Sequence, residues 1–250
     1  FVAVAEREHL TQAAEAIHLT PSAVSAAIKN LETYYGVELF HRVGRRIELT
    51  ETGRIFLVEA KSMLARVRAA ELMLTELGGL QRGNLGLSAS QTIASYWLPP
   101  VLVGFRRDYP GIHLDLAIGN TRTVAEAVLD GRAELGFVEG EIEAPALSSF
   151  VIARDALVVV VGADHPWAKI ATLDVDELVS GSPWVMREEG SGTRSEFERA
   201  VVQLGGSPTG FDIALTLPSN EAILSAVRAG TCAAAISQVA AGFYLQEGML

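Results

Sequence analysis

Apolar residues recur at the helical period in two short blocks near the start of the chain. Ala13, Ala14 and Ile17 form one stripe, with Thr11 placed to cap it, and Val24, Ile28 and Leu31 form a second at i, i+4, i+7. Between them His18 and Leu19 make a turn. Thr20-Pro21 is then a helix start: the threonine is a good N-cap, and proline at the first helical position gives up an N–H that would have no partner there. The pattern predicts two helices joined by a tight turn. The outer face of the second carries Ser22, Ser25, Ala26 and Lys29, small, polar or cationic side chains of the kind that can enter a DNA major groove. Two amphipathic helices of an ordinary bundle fit the same residues, and the next stretch bears on the choice. After Gly36, the runs Leu39 to Arg42 and Arg45 to Leu49 flank a turn at Val43-Gly44, with Ile47 and Leu49 alternating inward, which reads as a short β-hairpin. Arg42, Arg45 and Arg46 sit around that turn, where guanidinium groups suit phosphate contacts or a narrow minor groove.

The period then lengthens to a heptad. From Thr50, another good cap, to Leu77, the residues Phe56, Ala60, Met63, Val67, Ala70, Leu74 and Leu77 step by 4 and 3 alternately, and Gly78-Gly79 closes the run. One helix of roughly 40 Å is expected, with an apolar seam that asks for a partner helix. A core helix packed on its own domain is the alternative.

The order AAEAIHLTPSAVSAAIKNLE, then YYGVELFHR, then RRIELTETG resembles the winged helix-turn-helix of LysR-type transcriptional regulators. The likeness continues along almost the whole chain. It implies a winged helix-turn-helix head over residues 1–49, a dimerising linker helix over 50–79, and a periplasmic-binding-protein-like effector domain of two Rossmann-like α/β lobes, 84–162 and 163–250. The expected DNA-binding residues are Gln12, Thr20, Pro21, Ser22, Ser25, Lys29, Arg42, Arg45 and Arg46. Against the family both ends are short, with a first helix expected to begin before Phe1 and further elements to follow Leu250.

Beyond Gln81 the pattern itself becomes alternating α/β. Strands are predicted at Asn84 to Ser90, His113 to Ile118 and Glu134 to Val138, with helices at Pro100 to Tyr109 and Thr123 to Asp130. An apolar strand at Ala156 to Gly162 crosses to a second cycle: strands at Trp184 to Met186, Phe211 to Thr216 and Ala233 to Ile236, helices at Ser195 to Leu204 and Asn220 to Ala229. Gly131 and Gly230 are read as left-handed caps that echo each other between the lobes. Ligands of such folds bind beyond the carboxyl ends of the strands. Those ends carry Ser90, Gln91 and Thr92 in the first lobe, with Glu139 on the cleft floor. In the second lobe they carry Gly190, Ser191, Gly192, Thr193 and Arg194, a glycine-rich loop before a helix that can form an anion nest, and Asn220. A carboxylate at Glu139 repels an anion unless it is paired.

Composition narrows the class. The 250 residues are 49% hydrophobic and 20% charged, enough for packed cores in two or three domains. No apolar run reaches a membrane span and no signal peptide is visible, so a cytoplasmic protein without a membrane partner is expected. Net charge is −10, of which residues 1–80 carry −1 and residues 81–250 carry −9. The weakly charged head implies modest non-specific DNA affinity and reliance on dimerisation. No nucleophile elbow, zincin motif, P-loop or metal-spaced Cys/His set occurs, and Ser191 lacks an evident base. Neither catalysis nor a cofactor nor a metal is therefore expected, and Cys232 reads as a small buried hydrophobe. The expected partners are double-stranded promoter DNA with an inverted-repeat site, a small anionic effector, a homodimer or homotetramer mate, and RNA polymerase. A solute-binding protein of the periplasmic type, without DNA function, is the competing reading.

Overall fold

A computed structural model describes residues 1–43, 46–77, 83–142 and 144–250. The chain divides into two units, Phe1–Glu76 with Leu129–Arg132, and Leu77–Val128 with Ala133–Leu250.

In the first unit, α1 (Val2–Ala5), α2 (Leu10–Ala16) and α3 (Pro21–Tyr35) precede a hairpin of β1 (Phe40–Val43) and β2 (Arg46–Leu49), and α4 (Glu51–Leu77) follows. The core joins Val4, Ala13, Ala14, Val24, Ile28, Leu39, Phe40 and Leu49, so the inner faces of α2, α3 and the hairpin share one cluster. Thr20 caps α3 as its sequence suggests, with Oγ1 accepting from the Ala23 amide at 3.3 Å. The helix ends at Gly36, whose φ of +66° is a left-handed cap. Glu32 then ties α3 to the hairpin, because its carboxylate accepts from the amides of Leu39 (2.8 Å) and Phe40 (3.1 Å).

Two details depart from the sequence pattern. Thr11 lies inside α2 rather than at its cap; His9 occupies that position, and its ring Nδ1 accepts from the Gln12 amide. Ile17 falls after the last helical residue and is exposed, since the chain turns away there through His18 at φ 54°. The turn glycine Gly44, Arg45 and the closing Gly78-Gly79 lie outside the described residues.

Thr50 caps α4, its hydroxyl accepting from the Gly53 amide at 2.9 Å. The seam of α4 is not uniform. Phe56 rests its ring 4.8 Å from that of Phe1, and Ala60 is buried, so the first seam positions are used by the unit's own core. Met63, Val67, Ala70 and Leu74 are exposed.

The second unit opens with β3 (Gly83–Ser90), a π-helical turn at Ile93–Trp97, α5 (Leu98–Asp108), β4 (Ile112–Gly119), α6 (Thr121–Leu129) and β5 (Leu135–Phe137). These strands form a parallel sheet in the order β4-β3-β5. The helix expected from Pro100 begins earlier, with Pro99 and Pro100 in its first turn, where their missing N–H groups cost nothing. Next come β6 (Leu157–Val160), α7 (Val175–Ser180), β7 (Pro183–Arg187), α8 (Gly192–Gln203), β8 (Asp212–Leu217), α9 (Asn220–Ala229), β9 (Ala234–Ser237) and α10 (Gln238–Gln246). Here β7 pairs β8 in parallel, whereas β6 pairs β9 antiparallel, and a Trp184–Ala233 bridge joins β7 to the start of β9.

The Ala-rich run at β9 is buried on both faces. Ala233 and Ala235 pack with Trp184, Phe197 and Val201, while Ala234 and Ile236 pack with Ile223, Leu224 and Val227. Small side chains let helices close on either side of the strand. Trp184 is fully buried, 4.9 Å from the Phe197 ring and 5.1 Å from that of Phe211. Gly131 has the left-handed conformation expected of it (φ +66°), but Gly230 is extended (φ −139°, ψ −167°), because α9 passes to β9 without a left-handed cap.

Gly53 faces the tightest contact in the first unit: a Cβ there would come within 2.1 Å of the Leu39 carbonyl oxygen and 2.9 Å of Leu49 Cδ2. Gly53→Ala is expected to destabilise this unit by about 1–3 kcal/mol. Urea unfolding of the full chain, followed by far-UV circular dichroism, checks this.

Candidate functional site

The two units carry separate candidate surfaces. On the first, Val24 and Ile28 anchor α3, and the helical period then turns Ser22, Ser25, Ala26 and Lys29 outward, where all are exposed. Gln12, Thr20, Pro21 and Arg42 are exposed as well. Thr20 and Ser22 hydroxyls lie 3.1 Å apart, so the amino end of α3 presents a paired hydroxyl edge. Arg46 takes its place in the ladder opposite Val43.

On the second, strand ends and helix starts converge between the two lobes. Ser90 ends β3, Glu139 follows β5, Arg187 ends β7, and α8 and α9 begin at Gly192 and Asn220. Most of the buried polar side chains among the described residues lie here. Arg187, only 3% exposed, donates from Nε to Glu188 at 2.9 Å and from Nη1 to Asn220 Oδ1 at 3.0 Å. Asn220 in turn donates from Nδ2 to Thr92 Oγ1 at 2.8 Å, and its amide donates to Gln91 Oε1 at 3.0 Å. Gln91 also donates to Glu221 (2.7 Å), as does the Tyr96 hydroxyl (2.9 Å). The lobes are thus stitched by side chains from both sides. Burial, with Glu221 beside it, raises the Tyr96 pKa and keeps the phenol in its donor form.

The loop before α8 is held from the first lobe. Gly190, at φ +88°, accepts from the Arg122 amide at 3.2 Å, and Asn120 donates to Glu188 Oε1 at 3.2 Å. Gly192 touches the floor, for a Cβ there would meet the Glu139 carbonyl oxygen at 2.1 Å and Thr121 Oγ1 at 2.5 Å. Ser191 provides no side-chain cap to α8, and the Thr193 hydroxyl is buried without a hydrogen-bond partner. A helix start with no side-chain cap and an orphaned buried hydroxyl is suited to an anion or an acceptor group.

Charge is distributed differently from the sequence expectation. Arg194 does not offer its guanidinium to the cleft: Nε is paired with Glu198 at 2.7 Å, one helical turn on, and Nη1 donates to the Arg187 carbonyl at 3.2 Å. The buried guanidinium of the cleft belongs to Arg187, one residue past the strand expected at Trp184 to Met186 and not among the expected cleft residues. Asn120, Thr121 and Arg122 were also missed, because α6 starts two residues before its expected position. The N-cap-like run Asn-Thr-Arg-Thr was the available signal.

Glu139 is paired after all, by hydroxyls. Ser90 donates to its Oε2 at 3.1 Å and Thr92 also donates to the carboxylate. Burial raises its pKa above 4.5, and the two hydroxyls and nearby Arg187 only partly offset this. For Glu188 burial also opposes ionisation, but the bonds from Arg187, its own backbone and Asn120 outweigh it and lower the pKa.

A raised folded-state pKa means that the folded chain keeps the Glu139 proton to higher pH than the unfolded chain. The associated stability is complete below pH 4.5 and is lost as pH rises through the folded value. Glu139→Gln is expected to flatten the fall in unfolding free energy above pH 4.5, measured by urea titrations at a series of pH values. An unchanged slope contradicts the assignment.

Among the described residues no group of three or more His, Cys, Asp or Glu side chains could hold a metal ion, and no helix is long and apolar enough to cross a membrane. Residues 1–54 match the bacterial regulatory helix-turn-helix protein, lysR family, and residues 78–250 match the LysR substrate binding domain. The chain is 36% identical over 250 residues to the "Uncharacterized HTH-type transcriptional regulator YeiE" of Escherichia coli (strain K12), covering 100% of this chain and 82% of that one. A full-length OxyR variant from Pseudomonas aeruginosa is similar in fold, with TM-score 0.69 and 23% identity over 96% of this chain and 76% of that chain. The regulatory domain of CcmR from Synechocystis PCC6803, solved in complex with 2-PG, has TM-score 0.57 and 27% identity over 64% of this chain and 74% of its own. The matched helix-turn-helix sets the chain apart from solute-binding proteins that only share the lobes: it belongs to the LysR family of DNA-binding transcriptional regulators with an effector-binding domain.

Proposed function

We propose that this regulator reads an inverted-repeat promoter site as a homodimer or homotetramer, through Ser22, Ser25 and Lys29 of α3 in successive major grooves. Gln12, Thr20 and Pro21 border that face, and the hairpin arginines contact phosphate or the minor groove. The exposed apolar residues Met63, Val67 and Leu74 of α4 supply the pairing seam. A small anion bound between the lobes is the signal. It engages the amino end of α8, the Thr193 hydroxyl and Arg187, and its differential affinity for two lobe arrangements alters the spacing of the DNA heads.

The observation that carries the effector reading is the combination of an uncapped helix start and a buried, partnerless hydroxyl with a buried guanidinium at the end of the preceding strand. Ser90, Gln91, Thr92, Glu139, Gly190, Ser191, Gly192 and Asn220 complete the cleft, whereas Arg194 acts on the loop from outside it. The protein works as a regulator and not as an enzyme, in the cytoplasm, with RNA polymerase as the partner through which it acts on transcription.

A duplex selected from a random pool by the wild-type chain, used in fluorescence anisotropy at fixed salt, gives the test. Ser25→Glu is expected to weaken binding to that duplex by about tenfold or more, the loss of one base contact, while affinity for a scrambled duplex changes far less. Equal operator affinity in the variant refutes the assigned face. Met63→Glu with Val67→Glu is expected to shift sedimentation toward the monomer and to abolish operator binding at low protein concentration. Retained assembly moves the seam elsewhere.

A further inference from the structure

An acid on the floor of an anion site has to be accounted for, and the geometry around Glu139 suggests how it acts. Its carboxylate already accepts from the Ser90 and Thr92 hydroxyls, its backbone carbonyl lies against the first residue of α8, and the partnerless Thr193 hydroxyl is on the next residue of that helix. Two hydroxyl donors leave room on a carboxyl group for one more. Among the described residues the cation that acts on it is Arg187, which already donates to Glu188 and Asn220 and whose charge only partly offsets the burial. The other charged group that acts on it is Asp155, a carboxylate, which adds repulsion.

We infer that Glu139 and the bound oxyanion share one proton, so that the cleft selects anions that bring a hydrogen-bond donor and admits proton-free anions only when Glu139 itself is protonated. The inference rests on the reading of the interlobe cleft as the effector site. It places no covalent step in the cleft: a proton sits between a carboxyl oxygen and a ligand oxygen, and its origin, ligand or glutamic acid, depends on the ligand's chemistry.

Inorganic phosphate and sulfate separate the two cases, being tetrahedral and alike in size, while only phosphate carries an O–H near neutral pH. The full chain is titrated with each by calorimetry and by amide chemical-shift mapping, at constant ionic strength. Phosphate is expected to bind with little pH dependence from about pH 6 to about pH 8, whereas sulfate affinity is expected to fall by up to about tenfold per pH unit once Glu139 ionises. In Glu139→Gln, whose amide donates without titrating, sulfate affinity is expected to rise and lose its pH dependence, and phosphate loses its advantage. The wild-type comparison alone decides the matter if that variant folds poorly. Equal affinity for both anions at every pH overturns the shared proton while leaving the cleft as the effector site. Shifts that map away from Thr193, or affinity that survives Thr193→Val unchanged, overturn the underlying reading instead. Silence with both anions across the millimolar range overturns both.

Discussion

A guanidinium shut away from water must be paired, and the pairing of Arg187 organises the ligand-binding half of this regulator. Its charge is placed at the end of a strand, after the buried apolar residues Trp184, Val185 and Met186, so the cost of desolvation has to be met by its neighbours. Glu188 supplies the counter-charge and Asn220 a neutral acceptor, and both partners reach across to the first lobe, Glu188 through Asn120 and Asn220 through Thr92. Further bonds between the lobes run from Gln91 and Tyr96 to Glu221 and from the Arg122 amide to Gly190. The same network explains why the carboxylates around the cleft differ: Glu188 holds its charge against burial, while Glu139, served by hydroxyls, gives it up more readily.

The glycines and small residues of the loop after β7 follow from how closely the two halves approach. Gly192 lies against the Glu139 carbonyl, where any side chain would collide with backbone, and Gly190 adopts a left-handed turn whose carbonyl is taken by Arg122. Ser191, at the N-cap of α8, makes no side-chain bond to the helix start. That is a physical reason for its first turn to be open to a ligand.

Local patterns made the DNA-reading head legible from sequence. Thr20-Pro21 marks a helix start with two independent signals, and Val24 with Ile28 sets the face, so the exposure of Ser22, Ser25 and Lys29 followed from the helical period. The first helix was read less well, since Thr11 and His9 both offer acceptors and only tertiary packing selects between them. The heptad on α4 told of an apolar seam but not that Phe56 and Ala60 are taken up by the head's own core. In the lobes, strands were found because β-rich runs such as Trp184 to Met186 stand out. Arg187 was overlooked because a charge at the end of a buried strand resembles a solvent-facing terminus, and its partner Asn220 lies 33 residues away. Short α7 carries too few turns to announce itself by periodicity, and α10, with Val239, Ala240, Ala241, Phe243, Tyr244 and Leu245 almost in a row, has no polar face to set a period.

The stitch formed by the Tyr96 hydroxyl on Glu221 is exposed and lies outside the buried polar network. In the proposed mechanism a bond in that position does not touch the signal molecule, yet it weighs on the balance between lobe arrangements that the signal must tip. On the proposed mechanism a drift in sequence at those two residues would therefore reset the concentration at which the regulator responds without altering which compound it responds to, and so sensitivity and recognition can evolve apart in this chain.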